Sequence, residues 1–184
     1  MRWAALLRAV NVGGRKLLST DLKRFGEGLG FSDVATLLAS GNLIFTTPQT
    51  AGPVLEQRLE EAGLTAFGFR VEFLLRNASD FDATIAVNPF PGQARDRPNH
   101  LLVHFFQKAA PAQAWLAAIK ADATGPESLA VVGRELFIDY ADGIGTSGLG
   151  PLMSKAKYRA LAGDTGVNTA RNWNTVLKLR AALG

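Results

Sequence analysis

Apolar positions along this chain follow two periods, and the places where one gives way to the other mark its elements. Residues 2–10 form a short apolar run that stops at Asn11-Val12-Gly13-Gly14. Paired glycines permit backbone angles other residues avoid, so the pattern predicts a strand and then a tight loop. Ser19-Thr20-Asp21 offer helix N-caps ahead of Leu22, Phe25 and Leu29 at helical spacing, with Gly30 as the stop. Two strands are predicted over residues 34–39 and 43–47, joined by the turn cluster Ser40-Gly41-Asn42. Pro53 opens a second helix with Leu55, Leu59 and Ala62 inward and Gly63 at its close, and residues 71–76 read as a fourth strand.

That order is strand, helix, strand, strand, helix, strand, the split βαβ arrangement of a ferredoxin-like half with an antiparallel sheet. A connecting helix is predicted over residues 79–87, and the Pro-rich, charged segment 88–98 is the candidate boundary, giving halves 1–92 and 93–184. The second half repeats strand, helix, strand, strand over residues 100–107, 112–121, 129–132 and 135–140, with a hairpin at Gly133-Arg134. It then departs. In place of a final strand the pattern predicts a flexible glycine-bearing stretch over residues 141–150, a helix near 151–161 and a last helix near 169–183. The fold class expected is therefore α+β, two related ferredoxin-like βαββα-type halves with C-terminal helices packed against them.

Length and composition agree with that picture: 184 residues at 47% hydrophobic suit one compact domain or two small halves. No apolar run approaches the roughly 18 residues that span a bilayer, and Arg8 breaks the N-terminal apolar stretch, which argues against a secretory signal. The chain has no cysteine, which excludes disulfides, thiol nucleophiles and Cys-based metal sites and suits a reducing cytoplasm.

Charge adds a further pattern. Residues 1–24 and 146–184 each carry six basic side chains against one acidic, a balance of +5, while the stretch between them carries −6. If both ends converge they make one basic patch for an anionic partner; the alternative is solvated faces.

Three segments carry candidate chemistry. The loop Asn11, Gly13, Gly14, Arg15 and Lys16 combines close backbone approach with two cations, the requirement for cradling a phosphate or carboxylate, and a plain turn is its structural alternative. Ser40 and Asn42 are turn residues that could also face a ligand. Thr169-Ala170-Arg171-Asn172-Trp173-Asn174-Thr175 is expected to form the first turns of the last helix, where Arg171 opposes the macrodipole and so reads as part of an anion site. Arg171, Asn174, Thr175 and Lys178 then share a face, Asn172 caps or binds, and Trp173 packs. Ser154 and Lys155 extend that polar chemistry if the two last helices pack together.

His100 and His104 are expected on one strand face, but no third ligand is marked by spacing, so neither a metal nor a cofactor is expected. Gly145-Thr146-Ser147-Gly148 is one residue short of a nucleophile elbow, and no paired carboxylates stand out.

Leu6-Leu7-Arg8-Ala9-Val10-Asn11-Val12-Gly13-Gly14, Ser40-Gly41-Asn42-Leu43-Ile44-Phe45 and Thr169-Ala170-Arg171-Asn172-Trp173-Asn174-Thr175-Val176-Leu177-Lys178-Leu179, in this order across essentially the whole chain, resemble the domain-of-unknown-function 1697 family. The resemblance implies a bacterial, cytoplasmic protein of two related α+β units with no established activity. It also implies a Ser-Lys pair ahead of the final helix, matched by Ser154-Lys155, and a Lys after the opening glycines, where this chain has Arg15-Lys16. No catalytic residue follows from it.

The leading functional expectation is a protein that binds an anionic ligand, nucleic acid or nucleotide, through Arg15, Lys16, Lys155, Arg171 and Lys178, with no membrane partner. An enzyme acting on a small phosphorylated or carboxylated metabolite in a cleft between the halves is one alternative. A purely structural role for the motif residues is another. All site expectations assume that the glycine loop and the amide-rich C-terminal segment are neighbours.

Overall fold

The computed structural model describes residues 1–8, 10, 17–38, 41–48 and 52–184. The fold is α+β, with two four-stranded antiparallel sheets of orders β2-β3-β1-β4 and β6-β7-β5-β8. The chain divides into two compact units, Met1–Asp82 with Lys178–Gly184, and Ala83–Leu177.

The first unit contains β1 (Arg2–Arg8), α1 (Ser19–Gly28), β2 (Ser32–Thr36), β3 (Asn42–Thr46), α2 (Pro53–Phe67) and β4 (Glu72–Arg76). Strand β1 lies between β3 and β4, pairing Trp3 with Phe45 and Leu7 with Phe73. Its residues 3–7 are buried without alternation, because both faces of the sheet are covered; this is why it reads as an unbroken apolar run. One face packs Trp3, Ala5, Leu7, Phe45 and Phe73 against Leu22 and Phe25 of α1 and Leu55 and Leu59 of α2. The opposite positions Ala4, Leu6, Ile44 and Leu74 are buried as well.

Several boundaries differ from the sequence pattern for local reasons. Helix α1 starts at Ser19 with Leu18 in the cap position and no side-chain cap, so the Ser-Thr-Asp cluster forms its first turn. Strand β2 is Ser32–Thr36, ahead of the expected 34–39, and a register shift separates Ser32 from Ala35. Helix α2 continues past Gly63 to Phe67 and ends at Gly68, whose φ of 73° is the left-handed closure that favours glycine. Gly63 stays in the helix as a packing residue, since a Cβ there would meet the Phe73 ring at 3.3 Å. From α2, the Glu56 carboxylate accepts the Leu75 amide of edge strand β4 at 2.9 Å.

Helix α3 (Ala78–Ala86) opens on a reciprocal cap: Asn77 Oδ1 accepts the Asp80 amide and Asp80 Oδ2 accepts the Asn77 amide. The segment expected as a linker holds α4 (Pro91–Asp96). The second unit then builds β5 (Leu101–Phe106), α5 (Gln113–Asp122), β6 (Ser128–Val132) and β7 (Glu135–Asp139). After a 3-10 turn at Ile144–Thr146 come α6 (Leu149–Met153), α7 (Ala156–Ala162), β8 (Asn168–Asn172) and α8 (Trp173–Ala182). The expected single helix over 151–161 is thus two short ones, broken at Ser154 and Lys155.

The main correction is β8. The sequence pattern predicts no fourth strand here and places Thr169–Asn172 in a helix, yet these residues pair antiparallel with β5, from Leu102 with Asn172 to Phe106 with Asn168. The central strand β5 needs a hydrogen-bonding neighbour on each side, and tertiary pairing overrides the local polar composition. The second unit therefore repeats the strand order of the first in full.

Close packing at Gly26 of α1 supplies a test. A Cβ there would lie 2.9 Å from Val34 Cγ1, whereas at Gly28 it would meet nothing within 4 Å. Gly26→Ala is expected to lower stability by about 1–3 kcal/mol in chemical denaturation, since overpacking outweighs the roughly 1 kcal/mol of helix propensity gained. Gly28→Ala, on the same helix, is expected to be neutral or stabilising by up to about 1 kcal/mol.

Candidate functional site

Asn11, Gly13, Gly14, Arg15, Lys16 and Ser40 lie outside the described residues. Asn42 is 2% exposed; its Nδ2 donates to Leu37 O at 2.9 Å and its carbonyl accepts the Leu37 amide, so it clamps the β2–β3 connection. Arg171 sits in β8, where Nη1 donates to Thr169 Oγ1 and Ala170 O, both at 2.8 Å, and burial pushes its pKa down to about 10. It is a cation held inside by local partners, not one at a helix N-terminus.

Asn172 and Asn174 are brought together around Asn99, whose Oδ1 accepts from their amides at 3.3 and 2.8 Å. Asn172 also caps α8, accepting the Thr175 amide at 2.9 Å and the Thr175 hydroxyl at 2.8 Å. Alternation along β8 sets Arg171 and Asn172 on opposite faces of the sheet. Lys178 is exposed on α8. Ser154 donates to Gly150 O at 2.8 Å, and Lys155 occupies the cap position of α7 in extended backbone. Arg171, Asn172, Asn174, Ser154 and Lys155 belong to the second unit and Lys178 to the first.

Among the cavities formed by the described residues, two lie in the second unit. The larger, of about 490 Å³, is lined by Asp122, Glu127, Tyr140, Asp142, Ser147 and Lys155 among others. Its carboxylates are partly engaged. Glu127 accepts the Ser147 hydroxyl, and Asp122 takes Lys157 at 2.7 Å and the Tyr158 hydroxyl, bonds that hold its carboxyl below the usual range. Burial, then the nearby Glu127 charge, push the Tyr140 phenol up to about 12. Three carboxylates against one ammonium make this cleft unfavourable for an anion. No group of three or more metal-ligating side chains exists among the described residues.

The smaller cavity, of about 330 Å³, is framed by β5, β7 and β8 and by α5, α6 and α7. Phe106, Trp115 and Leu136 supply apolar wall, His104 and Asn168 supply polar groups, Arg159 supplies a cation, and no carboxylate among the described residues lines it. His104 retains some residue exposure, but its Nε2 is buried without a partner. Burial pushes this imidazole down to about 4, against the smaller upward effect of its hydrogen bond with Asn168. The ring is neutral at pH 7.

His100 and His104 do not share a strand face as expected. Strand β5 begins at Leu101, and His100 precedes it with Nδ1 3.1 Å from Ala141 O. The sequence pattern missed Arg159, Trp115 and Asn168 as neighbours of His104. The signal present in the chain was Lys155 and Arg159, two cations one helical turn apart without an acid on that face.

Comparison with known proteins follows the fold. The sequence profile described as "Protein of unknown function (DUF1697)" matches residues 1–137. The structure of a conserved bacterial protein, SP0830 from Streptococcus pneumoniae, is similar over 100% of this chain and 98% of its own, with a TM-score of 0.74 at 22% identity. At that identity the likeness is one of fold. No curated protein matches.

His104 makes stability depend on pH. Its folded pKa of about 4 lies below the 6.5 of the free side chain, so the unfolded chain takes up the proton first on acidification. Stability is complete above about pH 6.5 and falls towards pH 4, by up to about 3 kcal/mol. The expected outcome is a larger loss of urea midpoint between pH 7 and 4.5 in the wild type than in His104→Gln. Asn172→Ala is expected to cost about 1–2 kcal/mol by calorimetry, as the loss of a helix cap.

Proposed function

This chain belongs to the DUF1697 family of proteins of unknown function, and we propose that it binds a small anionic ligand, a nucleotide or a phosphorylated or carboxylated metabolite, in its second unit. The observation that carries this reading is Arg159, a cation lining a cavity in which no carboxylate faces it.

The wider charge arrangement supports it. Acidic side chains are drawn into ion pairs such as Arg8 with Glu72, Arg97 with Asp139, Lys108 with Asp164 and Arg180 with Asp82. Lys155, Arg159 and Lys178 form no ion pair among the described residues. Lys155 at the cap position and Arg159 within α7 are four residues apart, so their like charges are neighbours, and Lys155 opposes the dipole at the helix start. Both features cost stability and so point to a binding role. The net charge of +4 favours an anion in the same sense.

The nucleic-acid version has less support. Reading RNA on a ferredoxin-like sheet requires exposed strand aromatics for base stacking, and Phe45, Phe73, Phe105 and Phe137 are fully buried. The structural reading of the motif is favoured for Asn42, Arg171 and Asn172, whose polar atoms bond to their own surroundings. These residues serve as scaffold while Arg159 meets the ligand. A cytoplasmic setting, rich in small anions, is part of the proposal; no helix among the described residues is long and apolar enough to cross a membrane.

Thermal-shift measurement on the full chain with inorganic phosphate, adenosine monophosphate, small carboxylates and a mixed DNA and RNA oligonucleotide pool provides the test. A small anion is expected to raise the transition temperature, by an amount equivalent to about 2.7 kcal/mol at a hundredfold excess over Kd, and Arg159→Gln to abolish the shift. Oligonucleotide binding that collapses with salt, combined with no response to small anions, would overturn the reading. So would indifference to every anion tested.

A further inference from the structure

We infer that the 330 Å³ cavity of the second unit is a receptor for an amphipathic monocarboxylate: a small molecule with an aromatic or branched apolar body, one anionic end and one hydrogen-bond donor. This deepens the anion-binding reading and rests on it.

The apolar body follows from the wall. Phe106 and Trp115 are about 4% exposed and Leu136 about 2%, so these side chains are closely packed and form the apolar floor of the cavity. A wholly polar metabolite would lose its hydration there without recovering hydrogen bonds, whereas a flat or branched hydrocarbon gains from leaving water. Met153 also lines the space, and its unbranched thioether chain can repack around different shapes.

The single carboxylate follows from the charges. Arg159 has no counter-ion among the described residues, and its planar fork matches a carboxylate in bidentate fashion. Among the described residues that line this cavity, it is the one charged at pH 7. Ala162 and Gly163, at the C-terminal end of α7, also line it, and a helix end of that polarity bears partial negative charge. One guanidinium beside such an end balances one negative charge and not the two of a phosphate monoester.

The donor follows from His104. Its Nε2 is buried without a partner, while the ring hydrogen-bonds with Asn168 through its other nitrogen. We assign the tautomer in which Nδ1–H donates to the Asn168 amide oxygen, which leaves Nε2 as the open acceptor. A buried acceptor without a partner is rare in folded proteins. A ligand hydroxyl or N–H would complete it, provided the flanking part of the ligand is apolar enough to keep water out.

Isothermal titration of the full chain tests the inference, with 4-hydroxyphenylacetate and indole-3-acetate as probes carrying all three features. Phenylacetate lacks the donor and tyramine lacks the carboxylate. The two complete probes are expected to bind at one site, phenylacetate about tenfold more weakly, and tyramine without measurable heat. Arg159→Gln, at an exposed position where folding is not at stake, is expected to weaken the complete probes at least tenfold, with Arg159→Lys recovering only part. His104→Leu is expected to erase the preference for 4-hydroxyphenylacetate over phenylacetate. If that variant does not fold, Asn168→Ala should shrink the same preference by freeing the ring to turn.

Equal affinity for phenylacetate and tyramine, or full affinity in Arg159→Gln, would overturn the assignment. If the arylacetates fail while phosphate or adenosine monophosphate still raises the transition temperature, this inference falls and the broader anion-binding reading stands. If no anion of any kind binds, both fall.

Discussion

Each sheet depends on a central strand that is hydrogen-bonded on both sides, buried on both faces in β1 and on one face in β5. In β1 the run from Trp3 to Leu7 has no exposed residue, and in β5 Leu101, Val103 and Phe105 are fully buried. Such a strand must have every amide and carbonyl met by neighbours and every side chain met by packing. The common order, with β3 and β4 flanking β1 and with β7 and β8 flanking β5, supplies the first requirement. Helices on one face supply part of the second. Polar segments are drawn into this scheme where it needs them: Thr169–Asn172 becomes a strand because β5 would otherwise be an unpaired edge.

The two units differ in how that helical cover is made, and the difference accounts for the cavities. In the first unit, α2 runs unbroken for 15 residues and closes tightly on the sheet through Gly63 against Phe73. In the second, the corresponding cover is split into α6 and α7, of five and seven residues, with Ser154 and Lys155 at the break. Short helices leave space at their ends. Lys155 then lines the larger cleft and Arg159, one turn on, lines the smaller. The interruption between α6 and α7 coincides with the two cavities of the second unit.

Much of the architecture was legible in the sequence, because strand and helix periodicities survive wherever burial is regular. The strand order of the first half, the Gly133 hairpin and the helix opened by Pro53 all follow from apolar spacing and turn chemistry. What failed was polar. The segment Asn168–Asn172 carries no apolar alternation, and its strand character comes from β5, distant in sequence. The cap signal was real but displaced: Asn172 does cap α8, so the helix begins at Trp173 and leaves Arg171 behind in the strand. The smaller cavity was illegible for a similar reason. His104, Trp115, Arg159 and Asn168 share no motif, and only the sheet and helices bring them together. His104 was set aside as a metal ligand for want of a third partner, and the fold places it beside Asn168 in the lining of the smaller cavity.

The first unit is discontinuous. Its sheet is complete by Arg76, yet Lys178–Gly184 belong to it, with Arg2 Nε donating to the Ala182 carbonyl at 2.9 Å and Arg180 meeting Asp82 at 2.5 Å. Chains emerge from the ribosome N-terminus first, and an early domain ordinarily folds while the later one is still being made. Here β1 waits for residues 178–184, made after the whole second unit, before its own unit can close. Folding of the first unit can begin once its strands are made but closes only when residues 178–184 have followed, which couples its maturation to a segment about a hundred positions downstream of its sheet.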